Sequence, residues 1–371
     1  LYIDLACQKK EFHPNTKERQ ETSIYDDRNG WMEGYINLWL QDSSKKHISI
    51  LGEFGTGKTW FSLHYAWAVY CNYQKEKAGR LVRPRIPLVI TLRDYAKALN
   101  VGNVVAGFFF TKHNIKLTNK VFNQLNRMGK LLLIFDGFDE MAAKVDRELM
   151  INNFWELAKV VVPEAKVILT CRTEHFISAK EGRRLLSAQL EGALKEQLIF
   201  EEPHFEVLEI KQFNDDQIRK VLSNYEHNDE TTVNTIMEVP QLRELSRRPL
   251  MTNLIPKALP GLNLQQDISS SKIFLSALKY KMDKDAQQTF TSKADKLYFL
   301  CELSWEILST NISSVNCRKF RESICKFFNF EITSSFLGSW EFDMRGKTIL
   351  VHDQSDEDQE NGEYSLPHRS W

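Results

Sequence analysis

No run in the 371 residues approaches the ~18 consecutive apolar positions of a membrane-crossing helix, and no secretory leader is visible at the start. No membrane is therefore expected among the partners. Charge of either sign is not in excess: 49 Lys and Arg balance 49 Asp and Glu, so no overall basic field invites nucleic acid. Cysteine is sparse and scattered. Cys7, Cys71, Cys171, Cys301, Cys317 and Cys325 form no C-x-x-C pair, which removes the usual spacing of zinc ribbons and redox dithiols. Reduced thiols in apolar surroundings are expected instead, and with them a cytoplasmic protein. No internal repeat is visible, and the chain begins at Leu1 rather than Met, as an excised fragment would. The remaining composition, 42% hydrophobic and 26% charged, is that of a globular chain long enough for two or three domains.

Against that ordinary background one stretch stands out. Leu51-Gly52-Glu53-Phe54-Gly55-Thr56-Gly57-Lys58-Thr59-Trp60 reads G-x-x-x-x-G-K-T, the phosphate-binding loop. Gly52, Gly55 and Gly57 allow backbone angles closed to other residues and let the chain pass close to a ligand. The loop amides then form an anion-binding nest, and the following helix adds its positive end. Lys58 is expected to reach the β- and γ-phosphates and the Thr59 hydroxyl to ligate Mg²⁺. Gly52, Gly55, Thr56, Gly57, Lys58, Thr59 and Trp60 are thus the expected nucleotide contacts. A chance match in a chain of this length has odds of roughly one in a hundred. The setting sharpens it, because His47 to Leu51 reads as a short apolar strand and Trp60 to Cys71 as a largely apolar, buried helix.

Taken in order, residues 1 to about 30 read as a polar, irregular lead-in, followed by a helix over Trp31 to Leu40. Strands are expected at Arg85 to Leu92, Lys130 to Asp136, Lys166 to Arg172 and Phe205 to Ile210, with helices between them. The unbroken apolar run Leu131 to Phe135 is the pattern of a strand buried on both faces. The predicted fold class is α/β: a doubly wound parallel sheet with ligands at the carboxyl ends of its strands. After Lys211 the rhythm turns helical. Asn214-x-x-Gln217 resembles a capping box, and Ile218, Val221, Leu222 and Tyr225 fall on one helix face. Near the end, 347–352 and 363–366 read as two strands joined by an acidic loop, the solvated tip of a hairpin.

Three further positions carry chemistry. Asp136, at the end of its apolar strand, stands where a carboxylate can hold Mg²⁺ with Thr59. Asp139 and then Glu140 are candidates to orient or deprotonate an attacking water, or else a solvated or helix-capping acid pair. Arg172 leaves the next strand towards the same edge, either to sense charge on a γ-phosphate or to make an interdomain salt bridge.

Together, LGEFGTGKT at 51–59, LLLIFDGFDE at 131–140 and VILTCRTEHF at 167–176 resemble the NACHT branch of the STAND nucleotide-binding switches, relatives of the AAA+ ATPases that include NOD-like receptors and bacterial defence proteins. The D-G-F-D-E form is the most specific element. Arg247-Arg248-Pro249-Leu250-Met251 resembles the helical-domain motif whose Pro touches adenine, and Tyr364 to Trp371 resembles the end of the winged-helix domain, with His368 placed to contact the β-phosphate of ADP. The resemblance implies four parts: a lead-in and helix over 1–45, a nucleotide-binding domain over 46–212, a helical domain over 213–290 and a winged helix over 291–371, truncated at its end. It further implies ATP or ADP with Mg²⁺ as cofactors, slow ATPase activity at most, homo-oligomerisation on activation by an unidentified trigger, and effector and sensor domains not seen in this chain.

Two alternatives stay open at this level. One is an AAA+-type remodelling ATPase with sustained turnover. The other is a winged-helix DNA-binding regulator reading a groove through Cys317 to Phe330, where Arg318, Lys319, Arg321 and Lys326 are basic but Glu322 intervenes.

Overall fold

The computed structural model describes residues 2–12, 19–53, 55–76, 85–95, 98, 100–142, 147–172, 205–224, 230–264, 268–285, 292–310, 314–328, 351–353 and 363–365. His368, the acidic loop residues 354–362, Tyr225, Phe54 and motif residues 173–176 lie outside them. The chain divides into two compact units, Leu1–Val221 with Arg247–Leu250, and Leu222–Ser246 with Met251–Trp371.

The first unit opens on two strands, β1 (Cys7–Phe12) and β2 (Arg19–Tyr25), paired antiparallel. This corrects the irregular lead-in expected from sequence. The pattern Cys7-Gln8-Lys9-Lys10 is too polar to announce a strand. What makes it one is a partner far along the chain, since β1 also pairs antiparallel with β7 (Phe205–Ile210), Cys7 opposite Ile210. Between them come α1 (Trp31–Gln41), β3 (His47–Leu51), α2 (Lys58–Glu76), β4 (Ile86–Thr91), α3 (Val101–Ala106), α4 (Asn119–Arg127), β5 (Leu131–Asp136), α5 (Phe138–Ala142), α6 (Arg147–Ala158) and β6 (Lys166–Cys171).

These strands form one seven-stranded sheet in the order β2-β1-β7-β3-β6-β5-β4. Its five inner and far strands run parallel, while β1 and β2 make the opposite edge antiparallel. The sheet is therefore mixed rather than wholly parallel. β3, β5 and β6 are buried along their whole length, as strands covered by helices on both faces must be. Leu131, Leu133 and Phe135 of β5 pack with Phe138 of α5 and Phe154 of α6 in the main core.

Helix α2 departs from the buried helix expected. It hides Phe61, Ser62 and Tyr65, but Trp60 is 73% and Trp67 64% exposed, with Leu63 and Tyr70 on the same open face. A helix apolar all round gives no sequence signal of which side is covered.

The carboxyl end of α1 is closed by an unexpected group. Lys166, the first residue of β6, is 2% exposed, and its ammonium donates to the carbonyls of Trp39, Asp42 and Lys45. The same ammonium lies 4.4 Å from the Trp39 ring centroid.

Past β7, the expected capping box is present. The Asn214 amide donates to Gln217 Oε1 at 2.9 Å and the Gln217 amide to Asn214 Oδ1 at 2.8 Å, opening α7 (Asp215–Ser223). The second unit is mostly helical: α8 (Glu230–Glu238), α9 (Pro240–Ser246), α10 (Pro249–Ala258, whose first two residues belong to the first unit), α11 (Ser270–Asp285), α12 (Lys293–Ser309) and α13 (Cys317–Phe328). Short strands β8 (Ser314–Asn316), β9 (Val351–Asp353) and β10 (Glu363–Ser365) make an antiparallel sheet in the order β8-β10-β9. Leu278 and Met282 of α11 share one core with Phe299 and Leu303 of α12 and Phe320 and Ile324 of α13.

Candidate nucleotide site at the ends of β3, β5 and β6

β3 delivers the chain at Leu51 into the glycine-rich loop, and the Gly52 amide donates to the Cys171 carbonyl at 3.2 Å, tying the loop to the end of β6. A Cβ on Gly52 would stand 2.6 Å from Thr56 Oγ1, so no side chain fits there without breaking the turn. That hydroxyl donates to the Glu53 carbonyl at 2.8 Å and closes the loop from inside. Gly55 at φ 78° and Gly57 at φ 95° occupy the left-handed region that other residues avoid. The Lys58 ammonium folds back over the loop, donating to the carbonyls of Gly52 at 2.6 Å and Glu53 at 3.1 Å. Burial pushes its pKa down, opposed by the Asp139 charge.

The sheet order places β6 between the strand carrying the loop and the strand carrying Asp136. Asp136 is 3% exposed and accepts three hydroxyl hydrogen bonds: from Thr59 at 2.8 Å, Ser62 at 2.9 Å and Thr170 at 2.8 Å. Thr170 in turn accepts from the Gly137 amide at 2.9 Å, which fixes the turn after β5. Thr59 and Asp136 are thus brought together as the sequence predicts. Ser62 and Thr170 are additions that sequence reasoning missed. Ser62 had a usable signal, standing one helical turn after Lys58.

The three remaining chemistry-bearing residues also converge. Asp139 is buried at the start of α5, with its Oδ2 3.0 Å from Arg172 Nε, while its Oδ1 has no hydrogen-bond partner among the described residues. Arg172 therefore faces a carboxylate of its own domain. Glu140 lies 3.7 Å from the Arg93 guanidinium. Burial raises its pKa, Arg93 opposes that rise, and the charges of Asp139 and Asp136 reinforce it. Three cations, Lys58, Arg93 and Arg172, and three acids, Asp136, Asp139 and Glu140, share one end of the sheet.

The start of α10 lies against the loop. The Leu250 amide donates to the Gly55 carbonyl at 3.2 Å, and Pro249 Cγ stands 3.9 Å from where a Cβ on Gly57 would lie. Pro249 is also the first residue of its helix, the position where proline costs nothing. Arg247 anchors the segment, donating to the Phe213 carbonyl at 3.2 Å while its own carbonyl accepts from the Phe213 amide at 2.8 Å. Leu5 also approaches, its Cδ1 3.6 Å from the same Gly57 Cβ position. Trp60, expected beside the nucleotide, is exposed to solvent.

Residues 46–229 match the family described as NACHT domain. This chain carries a NACHT domain. Over its full length the chain is 57% identical to an uncharacterized WD repeat-containing protein of Nostoc sp. strain PCC 7120, of which it spans 24%. Among solved structures it is similar to the Aeropyrum pernix ORC2 protein in its ADPNP–ADP complexes, at 11% identity and a TM-score of 0.40 over 90% of this chain and 86% of that one. It is also similar to Cdc6p from Pyrobaculum aerophilum, at 13% identity and a TM-score of 0.35 over 89% of this chain and 86% of that one.

As a NACHT-type P-loop NTPase domain, the segment 46–229 is a nucleotide-binding module. Its residues suit a phosphate: a Cβ at Gly52 would fill the cradle, and Lys58 is already held over it. No cluster of three or more His, Cys, Asp or Glu that could hold a metal by themselves occurs among the described residues. A Mg²⁺ that takes most of its ligands from phosphate and water needs only a hydroxyl and a carboxylate, the pair Thr59 and Asp136 provides. No helix among the described residues is long and apolar enough to cross a membrane.

Proposed function

We propose that this NACHT domain is a nucleotide-controlled switch of the STAND kind, closed with ADP and opened for self-association with ATP. The observation that carries the reading is the hydrogen bond from Leu250 to the Gly55 carbonyl. The loop that would hold the phosphates is bonded to the residues that open α10, so a change of phosphate state has a covalent route into the helical part.

In this reading Lys58 and the loop amides bind the phosphates, Thr59 and Asp136 hold Mg²⁺, and Pro249 borders the base. The cation supplies charge neutralisation at the β- and γ-phosphates when bound. Ser62 and Thr170 fix the carboxylate that holds it. Arg172 senses the terminal phosphate, Asp139 orients water with Glu140 behind it, and His368 contacts the β-phosphate in the closed form. Hydrolysis is slow and resets the switch. The sheet β8-β10-β9 with α12 and α13 is read as the winged helix. The WD repeats named in the Nostoc relative suggest the kind of sensor such a module serves, and bacterial defence is the setting the family resemblance favours.

A ligand shifts a two-state equilibrium only by its differential affinity for the two states. Small-angle scattering with saturating ADP and then with a non-hydrolysable ATP analogue is expected to show a larger particle, by expansion or oligomerisation, with the analogue. Superimposable profiles at saturation would remove the switch.

A further inference from the structure

We propose that the open face of α2 is the contact surface for a second copy of this chain, the two α2 helices packing antiparallel about a two-fold axis. The inference goes beyond the switch reading and stands even if the phosphate loop binds nothing.

Trp60, Leu63, Trp67 and Tyr70 recur at steps of three, four and three, the spacing of a seam between two helices. From Thr59 to Gln74 the helix carries no Lys, Arg, Asp or Glu, although a helix side that faces water is normally charged. The structure leaves this seam open: Trp60 is 73%, Trp67 64%, Leu63 51% and Tyr70 42% exposed, while Phe61, Ser62 and Tyr65 are buried. Its side chains also order one another. The Trp67 and Tyr70 ring centroids stand 5.8 Å apart, and the Tyr70 hydroxyl accepts from the Gln74 side-chain amide at 2.8 Å.

Area and charge point to a copy of the chain as the occupant. The four side chains leave roughly 500 Å² of apolar surface open, so two such faces together bury about 1,000 Å², the threshold of a specific interface. A face without formal charge meets its own copy with no like-charge repulsion. An antiparallel pairing sets Trp60 against Tyr70 of the second copy and Leu63 against Trp67, and it opposes the two helix dipoles. The exposed face of α12 differs. Trp305 is 69% exposed there, but Glu302 is exposed one turn before it and Glu306 pairs with Lys319 at 3.1 Å, so that face is charged.

The test is sedimentation velocity of the full chain over a concentration series from about 1 to about 100 µM, across which it is expected to pass from monomer to dimer. Trp67→Glu is expected to weaken dimerisation at least about 100-fold, because the substitution acts twice across the axis, and to leave the melting profile unchanged. Leu63→Glu, the second variant should Trp67→Glu unfold, is expected to do the same. Trp305→Glu, on the charged face of α12, is expected to leave the dimer as it is. A dimer that Trp67→Glu and Leu63→Glu leave intact, or one that Trp305→Glu also dissolves, overturns the proposal. So does a parent chain that stays monomeric at about 100 µM, which would assign the face to another segment or another protein.

Discussion

Replacing Lys58 with Ala is expected to weaken binding of both ADP and ATP by roughly 100-fold while the domain stays folded. The ammonium is seated on the glycine loop itself, held there by the carbonyls of Gly52 and Glu53. A charge-assisted bond to a phosphate oxygen contributes about 1.5–3 kcal/mol, and the upper part of that range corresponds to the loss expected. The cost to the fold is smaller. Only two carbonyls lose their donor, and Glu53 faces water. Titration calorimetry alongside a circular dichroism melt separates the two effects. A Lys58→Ala chain that keeps its melting profile and binds ATP as the parent does would show that the loop is a structural turn and not a phosphate site.

The largest stability effect is expected far from that loop, at Lys166. Its ammonium serves three carbonyls at the end of α1 and lies over the Trp39 ring, and the residue is 2% exposed. Lys166→Met keeps the stem and removes every donor. Each buried carbonyl left without a partner costs about 1–3 kcal/mol, and the positive charge at a helix carboxyl end is lost as well. Part of this is recovered, because a charge no longer has to be buried. A net loss of about 3 kcal/mol is expected, read as a lower urea midpoint with an unchanged slope. A midpoint equal to that of the parent would mean that water replaces the ammonium at no cost.

These two lysines show what the sequence discloses and what it conceals. Lys58 is legible because its chemistry needs a fixed local spacing, and the same holds for the Asn214–Gln217 cap, where both partners lie within one helical turn. β3, β5 and β6 are legible because strands buried on both faces are apolar without interruption. Lys166 is not, since a charged residue at the start of a strand reads as exposed until the three carbonyls that accept from it arrive from residues 39 to 45. Strands β1 and β2 are concealed for a related reason. Their composition is polar, and the partner that orders them, β7, lies about two hundred residues further on.

Within the site the same division holds. The loop, Thr59 and Asp136 follow from motif spacing, but Thr170 becomes a ligand of Asp136 only because β6 lies between β3 and β5. The pairing of Arg172 with Asp139 joins the residue after β6 to the start of α5, which no linear pattern links. Leu5 and Leu250 reach the glycines from opposite ends of the unit, and neither belongs to any motif of the loop itself.

The central claim is that the domain is a switch held by its nucleotide, and it can be put to the protein as purified. Denaturing it and identifying the released nucleotide by chromatography is expected to yield ADP in about one-to-one ratio with the chain. An empty site that turns over added ATP rapidly would contradict the claim and replace the switch with a motor.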